Sequence, residues 1–115
     1  MFKSIFGAGS TPAYQNVSAQ EAHQMINSNR APFVIDVREP DEFKGGHIQG
    51  AKLLPLSELP NRLNDVPKDQ TILVVCRSGA RSSSAARFLA GAGYQVINMR
   101  GGMTDWEIAR LPIKR

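Results

Sequence analysis

The stretch TILVVCRSGARSSSAARFLA, residues 71–90, decides how this chain folds. Residues 71–75 are apolar and largely β-branched, which predicts a buried strand. From about Arg81 to Ala92 the apolar residues Ala85, Phe88, Leu89 and Ala92 fall at i, i+3, i+4 and i+7, a one-sided helix. Between them lies a short loop rich in Arg, Ser and Gly. It carries Cys76, the only cysteine in the chain.

The same alternation extends in both directions. Upstream, VSAQEAHQMI opens with Ser18 and has Glu21 three residues later, a capping box, and Ala19, Ala22 and Ile26 follow at helical spacing. FVIDV, 33–37, predicts a strand, PDEFKGG one or two helical turns stopped by Gly45 and Gly46, GAKLLPL a short strand and SELPNRL a short helix. Downstream, YQVIN, 94–98, predicts a strand, and TDWEIARL a last helix with a second capping box from Thr104 and Glu107. Strands alternating with helices imply an α/β fold, a largely parallel sheet with helices on both faces and right-handed crossovers. Residues 1–15 have no clear period and are expected to form a flexible tail, leaving 16–115 as a single domain.

Composition narrows the function. The chain has 115 residues, 42% apolar, with no run near the roughly 18 apolar residues of a membrane span and no long signal-peptide core, so a cytoplasmic protein is expected. One cysteine and two distant histidines, His23 and His47, argue against a disulfide or a metal site. The 14 basic against 10 acidic residues give a net charge of +4 without any Lys/Arg run, a weak signal for nucleic acid that suits small anions as well.

A lone cysteine after a strand is by default a small hydrophobe. Here the loop changes that reading. In such folds ligands bind at the carboxyl ends of strands, where Cys76 sits. The following helix start offers unsatisfied N–H groups and about half a positive charge. Gly79 permits the positive φ that a curled anion-binding loop needs, small Ser78, Ala80 and Ser82 leave the backbone open, and Arg77 and Arg81 add full charges. A free thiol has a pKa of about 8.5, and such surroundings lower it. Cys76 is therefore the expected nucleophile, with the cradle holding any anion attached to it.

Two chemistries fit, phosphoryl transfer by a cysteine phosphatase and sulfur transfer through a persulfide. Cys76 to Arg81 is a six-residue loop, one residue shorter than the phosphatase signature of Cys, five residues, Arg. A shorter ring of amides suits a target smaller than a phosphate.

CRSGARS resembles the active-site loop of the single-domain rhodaneses, which are sulfurtransferases. DVREPDEFKGGHIQGA, 36–51, is similar to the family's D-x-R and E-F-x-x-G-H-I-x-G-A hallmark, and GGMTDW, 101–106, to its G-G-x-x-x-W. The resemblance covers about residues 16–112 and implies a three-layer α/β fold with a five-stranded, mostly parallel sheet. It also implies that Cys76 takes a sulfane sulfur from a donor such as thiosulfate and passes it to cyanide or a thiol, with no metal or organic cofactor. Carried onto this chain, the backbone of Arg77, Ser78, Gly79, Ala80, Arg81 and Ser82 binds the persulfide or donor anion. Arg77 is the side chain expected to recognise the donor, and Arg81 the one that recognises it or braces the loop against a carboxylate. Arg38 either attracts the donor or pairs with Asp36 or Glu42 to fix the fold. His47 is expected to be a hydrogen-bonded scaffold residue, since the family uses this stretch as a turn, and Trp106 to be core.

The sole cysteine leaves no second thiol to resolve a persulfide, so the acceptor must be external, a small thiol or a partner protein. A monomer with no nucleic-acid or membrane partner is expected. The competing functions are a phosphatase of the same fold family and a non-catalytic interaction or sulfur-carrier module.

Overall fold

The computed structural model describes residues 13–115. Its elements run β1 (Gln15–Val17), α1 (Ala19–Ile26), β2 (Phe33–Asp36), α2 (Pro40–Lys44), β3 (Lys52–Leu53), a 3-10 segment (Leu56–Asp65), β4 (Ile72–Val75), α3 (Ala80–Gly91), β5 (Val96–Met99) and α4 (Gly102–Ile108). The five strands form one sheet in the order β1-β5-β4-β2-β3, and every pairing is parallel.

Central β4 explains why the sheet must be covered on both sides. All four of its residues are buried, so it has no polar face to offer water. Ile72 and Val74, with Cys76 beyond them, pack with Ile35, Val37 and Val96 under Ala85, Ala86 and Leu89 of α3 and Leu59 of the 3-10 segment. Leu73 and Val75 pack on the other face with Val34, Ile97 and Met99 under Ala19 and Ala22 of α1 and Met103 and Trp106 of α4. Each such aliphatic side chain, fully buried, contributes about 1.5–3 kcal/mol before entropy is counted.

The capping box at α1 is present. Ser18 Oγ accepts from Glu21 N at 3.1 Å, and Ser18 N donates to Glu21 Oε1 at 2.8 Å. Three expectations need correction. The expected capping box of Thr104 and Glu107 does not exist, because the N-cap of α4 is Gly101, three residues before Thr104. SELPNRL is not one regular helix but part of a longer 3-10 segment with Pro60 inside it and a kink at Arg62 (φ −128°). Of the expected tail, residues 1–12 lie outside the described residues, while Gln15 already pairs with Ile97 in the sheet.

Candidate active site

Cys76 sits directly after β4, and the loop from Arg77 to Gly79 turns the chain into α3. Gly79 makes that turn at φ +101°, in the left-handed region, as the N-cap of α3. The loop is also anchored from below. The carbonyls of Cys76 and Arg77 accept from the N–H groups of Met103 (2.8 Å) and Thr104 (3.0 Å) in the first turn of α4. A trans peptide holds its N–H opposite its C=O. Committing these two carbonyls to α4 therefore turns the N–H groups of Arg77 and Ser78 the other way.

The sulfur collects donors. Gly79 N–H donates to Sγ at 3.0 Å, and the Ser82 hydroxyl lies 3.3 Å from it. Burial pushes the Cys76 pKa up and is the largest single influence. The hydrogen bonds from the Ser82 hydroxyl and from the N–H groups of Ser82, Gly79 and Ser78 together outweigh it, and the pKa ends below that of an ordinary thiol. Of the amides from Arg77 to Ser82 expected in the cradle, that of Gly79 is hydrogen-bonded to the sulfur, and those of Ser78 and Ser82 also lower its pKa. The ultraviolet absorbance of the thiolate is thus expected to titrate below the midpoint of a free thiol. Ser82→Ala removes the strongest of the lowering contacts, and its midpoint should move upward; an unchanged midpoint would remove Ser82 from the site.

The Arg81 side chain is committed to a carboxylate and braces the loop. Its Nη1 and Nη2 donate to Glu42 Oε1 and Oε2 at 2.8 and 2.9 Å, a two-pronged pair joining α3 to α2. The Arg81 hydrogen bond, opposed by partial burial, brings the Glu42 pKa down to about 2, so the pair stays ionised far into acid. Arg38 is not a free cation at the mouth of the site. It is 1% exposed, its Nε and Nη2 bind Asp36, and Nη2 also donates to Gly46 O at 2.9 Å. Of the two roles open to it, the geometry assigns the one that fixes the fold. Arg77, by contrast, is exposed on the loop.

His47 Nδ1 donates to Phe43 O at 2.8 Å, its ring stacks on Phe43 at 3.7 Å, and its backbone bridges Lys114. Trp106 is buried, with Nε1 donating to Pro112 O at 2.9 Å. Neither side chain is hydrogen-bonded to the sulfur. Sequence reasoning missed the two contributions from outside the loop, Glu42 as the partner of Arg81 and the Gly101-Gly102 pair as the seat of the loop. The second had a signal in the adjacent glycines. Both take positive φ, +83° and +58°, and a Cβ on Gly102 would lie 2.5 Å from the Cys76 and Arg77 carbonyl oxygens. Among the described residues no group of three His, Cys, Asp or Glu could hold a metal ion, and no helix is long and apolar enough to cross a membrane.

Known proteins resemble this chain in sequence and fold. The profile of the rhodanese-like domain matches residues 18–109. A protein named sulfurtransferase from Allochromatium vinosum is 36% identical over 98 residues, covering 84% of this chain and 92% of that protein. The thiosulfate sulfurtransferase GlpE of Pseudoalteromonas translucida is 30% identical, with the same two coverages. The crystal structure of a rhodanese-related protein from Thermoplasma volcanium superposes with a TM-score of 0.82 at 31% identity, covering 88% of this chain and 98% of that one. A parallel five-stranded sheet, a cysteine cradled at the end of its central strand and a family profile spanning nearly all of the described residues agree: the chain belongs to the rhodanese-like domain family and has sulfurtransferases among its relatives.

Proposed function

We propose that this protein transfers sulfane sulfur through a persulfide on Cys76, with thiosulfate as a donor and cyanide or a thiol as acceptor. The observation that carries the reading is a single thiol that accepts from the Gly79 N–H at 3.0 Å, lies 3.3 Å from the Ser82 hydroxyl and has its pKa lowered by such contacts. In the first half-reaction the Cys76 thiolate attacks the outer sulfur of thiosulfate. A sulfur–sulfur bond forms to Cys76, the one to sulfite breaks, and sulfite leaves with the electron pair. The N–H groups that stabilised the thiolate then stabilise the terminal sulfur anion. The lowered pKa of Cys76 favours the thiolate as the attacking species. In the second half-reaction the acceptor takes the outer sulfur and Cys76 departs as a thiolate. Nothing is oxidised or reduced overall beyond the exchange of one sulfur atom.

Incubation with thiosulfate is expected to raise the intact mass by about 32 Da, one sulfur, placed on Cys76 by peptide mapping. Cyanide should return the original mass and release thiocyanate. A protein that gains no sulfur and instead hydrolyses an aryl phosphate would be a phosphatase on this fold. A protein that does neither would be a binding module.

A further inference from the structure

Three consecutive residues in the first turn of α3 reach in three directions. Arg81 is paired to Glu42 of α2, and the Ser82 hydroxyl lies 3.3 Å from the Cys76 sulfur. The third, Ser83, has its Oγ 2.8 Å from the Tyr14 hydroxyl, a hydrogen bond between residues 69 positions apart. Tyr14 immediately precedes β1, in the stretch whose composition predicts a tail. It is half-buried and packs against the core cluster under α3. The pairing of Gln15 with Ile97 fixes the chain beside it. The Tyr14 hydroxyl is therefore presented from the edge of the sheet to the turn of helix that begins at the sulfur cradle. Ser83 is joined to that cradle twice. It follows Ser82 directly in the chain. Its N–H also donates to the Gly79 carbonyl at 3.0 Å, and the Gly79 N–H in turn donates to Cys76 Sγ at 3.0 Å.

We propose that Tyr14 is a positioning residue for the active site: acting through Ser83, it keeps the Gly79 N–H and the Ser82 hydroxyl within reach of the Cys76 sulfur. As a role in sulfur transfer this rests on the persulfide reading of Cys76. Without the Tyr14 hydroxyl the first turn of α3 loses its tether to the sheet, and the two contacts that favour the thiolate lengthen. The thiolate then forms less readily, and a smaller share of Cys76 is ionised at neutral pH. Sulfur uptake slows through that share, so the loss is greatest below the thiolate midpoint and fades above it. Arg81, whose charge interacts with that of Cys76, is held by Glu42 and does not depend on Tyr14 for its place.

Tyr14→Phe keeps the ring and its packing and removes only the hydroxyl, while Ser83→Ala removes the other partner. The full-length wild type, both single variants and the double variant are titrated by the ultraviolet absorbance of the thiolate. Initial sulfur uptake from thiosulfate is followed by intact mass over a pH range spanning the midpoint. Each single variant is expected to move the midpoint upward and to slow uptake about threefold on its acid side, the scale of one weakened hydrogen bond. The double variant should be no worse than either single one, because both break the same contact. Tyr94→Phe is the control. The Tyr94 hydroxyl donates to the Leu63 and Val66 carbonyls, each at 3.2 Å, so its loss should lower the urea midpoint and leave the thiolate midpoint in place. An unmoved thiolate midpoint in Tyr14→Phe, or losses that add in the double variant, would overturn the proposal and leave Tyr14 a contact that serves stability alone. A wild type that takes up no sulfur would overturn the persulfide reading. The titration needs no donor, and it decides in that case too whether Tyr14 positions the groups around the sulfur.

Discussion

Arg38→Ala is expected to cost about 3–5 kcal/mol of folding stability, the range for breaking a buried ion pair from one side. Asp36 is 1% exposed, and the Arg38 guanidinium supplies three of its four hydrogen bonds, two from Nε at 2.9 and 3.1 Å and one from Nη2 at 2.8 Å. Without the guanidinium the carboxylate keeps only the Arg38 N–H, at 3.0 Å, and the Gly46 carbonyl loses its donor as well. Urea denaturation should show the lost stability as a lower midpoint with a similar slope. The mechanism is an uncompensated buried charge, so removing that charge too should recover much of the loss. The double variant Asp36→Leu, Arg38→Met should be more stable than Arg38→Ala. If it is no better, the loss comes from packing around Arg38 and not from the stranded carboxylate. The effect should also reach the sulfur. Gly46 closes the turn after α2, and α2 carries Glu42, which braces Arg81.

Gly102→Ala is expected to damage the site more directly. Position 102 has φ +58°, a region that costs a non-glycine residue about 1–3 kcal/mol. The added Cβ would also lie 2.5 Å from the Arg77 carbonyl carbon and oxygen and from the Cys76 carbonyl oxygen, all of them backbone atoms. The overlap is relieved only by moving α4 off the loop. That breaks the Met103 and Thr104 hydrogen bonds that turn the Cys76 and Arg77 peptides. A displacement on the scale of an ångström should slow sulfur uptake from thiosulfate about a hundredfold. Gly50→Ala is the control. Gly50 also has positive φ, +88°, but a Cβ there meets nothing within 4 Å. It should show a modest stability loss and ordinary uptake. Equal damage from both substitutions would assign the effect to backbone strain alone.

The parts of this molecule legible in the sequence are those governed by neighbours along the chain. The β-branched run of β4, the helical spacing in α3, the Ser18–Glu21 capping box and the turn at Gly79 each depend on a few adjacent residues. Together they were enough to predict the alternation and the parallel sheet. The expectation failed where a distant contact outranked a local pattern. Thr104 and Glu107 have capping-box spacing, but the Cys76 and Arg77 carbonyls draw the helix start back to Gly102, so Thr104 N–H serves the loop and not a cap. The Arg81–Glu42 pair spans 39 positions and has no local signature. For Arg38 the sequence offered donor recognition and fold-fixing side by side, and only burial distinguishes them. The cysteine and its loop could be named from the sequence. Which of the loop's amides face the sulfur depends on a helix that begins 26 positions later.

The strand order has one more consequence. A parallel sheet with so apolar a centre is an invitation to edge-to-edge polymerisation. Here the two outermost strands are β1, three residues long, and β3, two residues long. β3 carries Lys52, and proline follows it at position 55. Stubs of this length present too few unpaired backbone groups to template another chain. The longer strands β2, β4 and β5 are shielded inside them, an arrangement that limits edge-to-edge pairing with another sheet.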